Sequence, residues 1–230
     1  MNIAACVFTT VIALVLPVSA VIFYSLKINH SFKPALLGAL TFLIFQVFLR
    51  LPMIEYVLPG IAQYSLFSVT QPVLYSIFLG VTAGLFEEFG RYFIIKIFLK
   101  QHNDIKSAVN FGIGHGGIEA ILFVGINALF LIFTSPYTVN YSSMYAAGVE
   151  RLAAMIMHIG WSVMVMNAVR SKKFIWVITA FVTHSLIDST SAILQLYGIH
   201  MRYIEAILIL LAVIMSVYIV KKYRKEVRVL

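Results

Sequence analysis

The chain has 230 residues, of which 61% are hydrophobic and only 11% charged, and its mean hydropathy is +0.96. So little polar surface cannot cover a water-soluble globule, which excludes the soluble classes. The net charge of +8 does not point to nucleic acid, because the basic residues sit in short clusters between apolar runs, as in cytoplasmic loops that face anionic headgroups. Cys6 is the single cysteine, which rules out an intrachain disulfide and a cysteine-rich metal site.

The predicted elements are about seven apolar helices, each long enough to cross roughly 30 Å of hydrocarbon. The first covers residues 3–26. Its Val18-Ser19-Ala20 imitates a signal-peptidase site, but no basic residue precedes the run and the run continues through Val21-Ile22-Phe23, so it is read as a retained span. The second runs from Pro34 to Leu51, with Arg50 and Glu55 at its far end and a Pro- and Gly-containing loop after it. The third, 72–99, carries Glu87, Glu88 and Arg91, and the fourth, 107–133, carries His115 and Glu119. A polar loop, 135–143, leads to the fifth span, 145–168, with Glu150, Arg151 and His158. The sixth, 174–196, holds His184 and Asp188, and the seventh, 203–220, ends in a basic tail. No linker or low-complexity segment separates these runs. The expectation is an all-α, polytopic helical bundle forming one integral membrane domain, residues 1–230, with the functional helices at about 72–196.

Orientation follows from lysine and arginine. Lys27 and Lys33, then Lys96, Lys100 and Lys106, then Arg170, Lys172 and Lys173, and the tail residues Lys221, Lys222, Arg224, Lys225 and Arg228 all fall on one side of a seven-span topology. These are 13 of the 17 basic residues, and they predict the N-terminus outside and the C-terminus inside. The expected location is the cell membrane.

Seven charged side chains interrupt spans three to six. At about 3 kcal/mol each, they would cost about 20 kcal/mol if unpaired, more than a typical fold's whole stability. Bland explanations cover some of them. Glu88 with Arg91 reads as a structural pair, His158 as a satisfied core histidine, and the glycines at 80, 84, 112, 114, 116 and 117 as packing devices. Glu150 and Arg151 are adjacent and are not expected to face one another, so each needs its own partner. The whole set still exceeds what a passive bundle needs. His115 with Glu119 and His184 with Asp188 are i,i+4 pairs, each projecting from one helix face. Counting about 1.5 Å per residue puts Glu87, His115, His158 and His184 near mid-membrane, where they can converge.

Glu87-Glu88-x-x-Arg91, Phe111-x-x-x-His115 and His184-x-x-x-Asp188, on successive spans, resemble the motif series of the CAAX-protease and bacteriocin-processing superfamily of intramembrane proteases. His115-x-x-x-Glu119 and the additional His158 are most similar to its YhfC-type branch, with PrsW-type proteases as neighbours. The resemblance implies an intramembrane endopeptidase that cuts membrane proteins or lipidated, membrane-associated peptides. It implies Glu87 as general base with His115 as its partner, and His184 with Asp188 at the oxyanion, supported by Glu88, Arg91, Glu119 and His158. Two departures stand out. Two residues rather than three separate the glutamate pair from Arg91, and Asp188 replaces the common asparagine.

The residue types suit water-mediated hydrolysis, which needs a base and donors for the developing oxyanion. No serine sits in a Ser-His motif. The first expectation is a metal-free, glutamic-type mechanism without cofactor. The alternative is a zinc site drawing ligands from His115, His158 and His184, with Glu119 and Asp188 as further candidates, although no His-Glu-x-x-His helix is present. Two other classes stay open. One is a cation or proton transporter, against which stands the lack of inverted repeats, and the other is a noncatalytic scaffold such as the related subunit of γ-secretase.

Overall fold

A computed structural model describes residues 2–134 and 140–227, and among these the chain is helical with no strand. The expected polar loop at 135–143 lies largely outside the described residues. Among the described residues, seven helices are long and apolar enough to cross a membrane: α1 (Ile3–Lys27), α2 (Lys33–Gly60), α3 (Pro72–Phe98), α4 (Ile105–Thr134), α5 (Tyr141–Ser171), α6 (Ile175–Leu196) and α7 (Met201–Glu226). They match the predicted spans in number and order. Large apolar side chains such as Phe130, Leu186 and Leu210 remain exposed on them, as a lipid-facing surface requires.

Local chemistry sets the helix ends. Pro72 opens α3 at the position where a missing N–H costs nothing, and the Asp104 carboxylate caps α4 by accepting from the Ser107 N–H at 2.8 Å. Lys172 and Gly198 take left-handed backbone conformations in the turns after α5 and α6.

Two helices widen where proline removes a donor. In α1, Pro17 cannot donate to the Ala13 carbonyl, and the preceding turn opens so that the Leu16 N–H reaches Val11 instead. A similar widened turn in α4 covers Ile121–Gly125. Gly125 faces the freed carbonyl, and a Cβ there would stand 2.7 Å from the Ala13 oxygen. In α2, widened turns flank Pro52 at Leu43–Arg50 and Met53–Val57. The loop expected after residue 51 is therefore helical as far as Gly60. Beyond it a short helix, Ala62–Thr70, sets Tyr64 and Phe67 against Tyr75 and Phe78 of α3, with ring centroids 5.8–6.2 Å apart.

The chain divides into two compact units, both discontinuous in sequence. One comprises Met1–Ala39, His102–Val163 and Met201–Leu230, and the other comprises Leu40–Gln101 and Met164–His200. The first is built on α4. Side chains on Gly112 and Gly114 would collide with α5 at Ile159 and with α2 at Ala35, while one on Gly117 would meet Pro17 of α1. Asn110 fixes the polar end of this unit by donating to the Ser31 carbonyl at 2.8 Å and to Ser25 Oγ at 3.1 Å. In the second unit, α3 packs on α6 through Gly80 and Gly84, opposite Ser189 and Ser185.

Candidate functional site

Each unit contains a cluster of the same composition, an arginine, a glutamate and a histidine in contact in that order, fully buried in the second unit and partly buried in the first. In the second unit the cluster is carried by α3 and α6. Arg91 Nη1 donates to both carboxylate oxygens of Glu88, at 3.0 and 2.9 Å, and both side chains are fully buried. Glu88 Oε1 also lies 2.8 Å from His184 Nδ1. The other ring nitrogen, Nε2, faces Asp188 Oδ2 at 3.5 Å, and Asp188 is the half-exposed end of the chain of contacts. Glu87 is buried on α3 beside Glu88. The glycine–serine packing of α3 on α6 brings Glu88 and His184 together.

Arg50, at the far end of the second predicted span, belongs to the same unit and is buried, donating from Nη2 to the Leu79 carbonyl at 2.7 Å and from Nε to Thr82 Oγ1 at 3.1 Å. A single arginine between Leu49 and Leu51 was the available signal, since an isolated charge in an apolar run needs a partner.

In the first unit the cluster joins α4 to α5. Arg151 Nη1 donates to Glu119 Oε1 at 2.6 Å, and its Nη2 donates to Glu150 Oε1 at 2.6 Å. The expectation that Glu150 and Arg151 need separate partners is corrected here. The long arginine side chain places its guanidinium between the two carboxylates, so sequence neighbours pair although their Cβ atoms diverge. Glu119 Oε2 lies 2.5 Å from His158 Nε2. His158 is buried against Trp161, with ring centroids 5.2 Å apart at 79°.

His115, fully buried, stacks on Phe111 one turn earlier, which gives the Phe-x-x-x-His spacing a packing role. Its ring centroid is 5.0 Å from that of His158, and a ring nitrogen of each lies within 4.8 Å of the other. Gly116 permits this approach, because a Cβ there would already sit 3.1 Å from His158 Cβ. His115 and Glu119, expected to act together, therefore meet through His158.

The two histidines could supply two of the three protein ligands that a catalytic zinc takes. Imidazole nitrogens are good ligands for zinc, and metal-binding histidines are usually backed by a carboxylate on the opposite ring nitrogen. Glu119 supplies that backing to His158.

The chain matches the family described as YhfC intramembrane metalloprotease over residues 12–140 and 131–209. It belongs to the YhfC family. It is 30% identical over 243 residues to a Bacillus subtilis (strain 168) protein named "Uncharacterized membrane protein YhfC", covering 93% of each chain. No solved structure matches. YhfC membership agrees with the resemblance drawn from the motifs and with an integral membrane protein of seven helices. The family's description names a metalloprotease, which fits the zinc alternative of the sequence reading and gives no support to the metal-free mechanism placed first.

Proposed function

We propose that this chain is a zinc-dependent intramembrane endopeptidase acting on membrane proteins or membrane-associated peptides. The observation that carries the reading is the buried His115–His158 pair, backed by Glu119, in a chain of a family described as metalloproteases. His115 and His158 would hold the ion. His184, with carboxylate oxygens beside both ring nitrogens, is better suited to an electrostatic role than to ligation. Bound zinc would acidify a coordinated water and polarise the scissile carbonyl.

The remaining roles belong to side chains. Glu87 is assigned as the carboxylate that accepts the proton of the attacking water, the role its motif position implies. Arg91 holds Glu88 in a fixed orientation, and Glu88 in turn holds His184 through Nδ1. That leaves the Nε2 edge of His184, next to Asp188, to meet negative charge developing on the substrate oxygen.

The test uses full-length protein purified in detergent, its metal content, and its cleavage of a peptide library. About one equivalent of zinc is expected in active protein. Activity should be lost to a strong chelator, recovered on return of zinc, and absent together with the metal in His115→Ala. Chelator-resistant cleavage by metal-free protein would overturn the zinc mechanism in favour of the glutamic one.

A further inference from the structure

We propose that the basic end of the first unit binds an anionic phospholipid, its acyl chain in a groove between α1, α4 and α7 and its headgroup against Arg224. The inference is independent of the zinc reading. The groove has a volume of about 270 Å³ and is lined by Tyr24 of α1, Val109 of α4, and Ile219, Val220, Tyr223 and Arg224 of α7. Its deeper part is apolar, and Arg224 follows Val220 by one turn toward the end of the helix. Tyr24 brings a hydroxyl that is out of solvent and has the Tyr223 phenol as a neighbour. Phenols are donors of the kind that ester and phosphate oxygens accept. An apolar slot with hydroxyls and a cation at its mouth has the polarity of a lipid, not of a soluble anion.

The charges at this end are left over for such a ligand. Its acidic side chains, Asp104 and Glu226, are both taken by the start of α4, where Asp104 accepts from the Ser107 N–H at 2.8 Å and Glu226 from the Ile105 N–H at 3.0 Å. The side chains of Lys27, Lys106, Lys221, Arg224 and Lys225 have no ion-pair or hydrogen-bond partner among the described residues. Lys27 follows Tyr24 by three residues and Lys106 precedes Val109 by three, so each stands one turn nearer the membrane surface on the same helix face. All three helices thus carry a cation one turn beyond a residue of the groove. The lysine and arginine distribution predicts that this end is cytoplasmic, where basic pockets between membrane helices select anionic headgroups.

The test titrates full-length protein in a neutral detergent with palmitoyl-oleoyl phosphatidylglycerol or with the phosphatidylcholine of the same chains. Bound lipid is read by native mass spectrometry and stabilisation by thermal melts. The anionic lipid should be retained in preference and should raise the melting temperature. Arg224→Gln is expected to weaken its binding about fivefold, the effect of one basic residue near a charged lipid surface. Lys225→Gln removes the same charge from a residue outside the groove and should change binding little. Val220→Phe fills the groove without altering charge and should also weaken retention. Val220, Arg224 and Lys225 are exposed, so all three variants should melt like the wild type before lipid is added. Equal weakening by Arg224→Gln and Lys225→Gln would reduce the effect to nonspecific surface attraction and overturn the site. Full binding by Val220→Phe, displacement by inorganic phosphate, or equal retention of the two lipids would overturn it as well.

Discussion

At the residue scale, the neighbouring glutamates of α3 should fail in different ways when neutralised. Glu87→Gln is expected to lower cleavage by about 10²–10⁴-fold, the usual contribution of a general base, with little change in thermal stability. Glu88→Gln removes the carboxylate from a fully buried ion pair with Arg91. Breaking such a pair costs about 3–5 kcal/mol, so this variant should unfold at clearly lower temperature in detergent. Thermal melts and peptide cleavage on the two proteins separate the assignments. A stable, inactive Glu88 variant beside a fully active Glu87 variant would reverse the roles.

The sequence was uneven as a guide to these residues. Glu88 with Arg91 was legible because both lie on one helix at i,i+3, and helical spacing fixes that geometry. Arg151 with Glu119, and Glu119 with His158, were not. They join different helices, and a span that is apolar nearly all round gives no sign of which way it is turned. Widened turns add to the difficulty, since each inserted residue rotates everything beyond it by about 100°.

At the scale of elements, the seam between α3 and α6 distinguishes rigid from adjustable contacts. A Cβ on Gly80 would meet the Ser189 backbone nitrogen at 2.5 Å and the Ser185 carbonyl at 2.8 Å, and neither can move without the helix. A Cβ on Gly84 would collide chiefly with the Ser185 hydroxyl, while its backbone neighbours stand at 3.0 and 3.1 Å. Both Gly80→Ala and Gly84→Ala should lower the melting temperature. Adding Ser185→Ala is expected to restore much of the loss at Gly84 and none at Gly80. Equal rescue at both positions would show that the seam is softer than these distances imply. The spans themselves were readable from hydropathy alone, but this pairing of helices was not, because small residues mark a close approach without naming the partner.

At the scale of the whole molecule, the distribution of lysine and arginine predicts that the ends of α1, α3 and α5 and the basic end of α7 lie on the cytoplasmic side. A reporter fused after α7 should be active only when it is of the type that works in the cytoplasm, and one placed in the segment between α2 and α3 should show the opposite behaviour. A reversed pattern would refute the orientation, while the seven-helix count would stand.

The discontinuity of the two compact units bears on how the protein is made. Helices leave the ribosome in order, yet α1 belongs with α4 and α7, while α3 belongs with α6. Neither unit is complete when its first helix enters the bilayer. The buried charges of α3 reach the membrane before α6 supplies His184, and Glu119 arrives before α5 supplies Arg151. During synthesis these groups must be sheltered by the insertion machinery, or sit near an interface, until their partners emerge. Replacing the early carboxylates with apolar residues should therefore ease insertion even as it removes function.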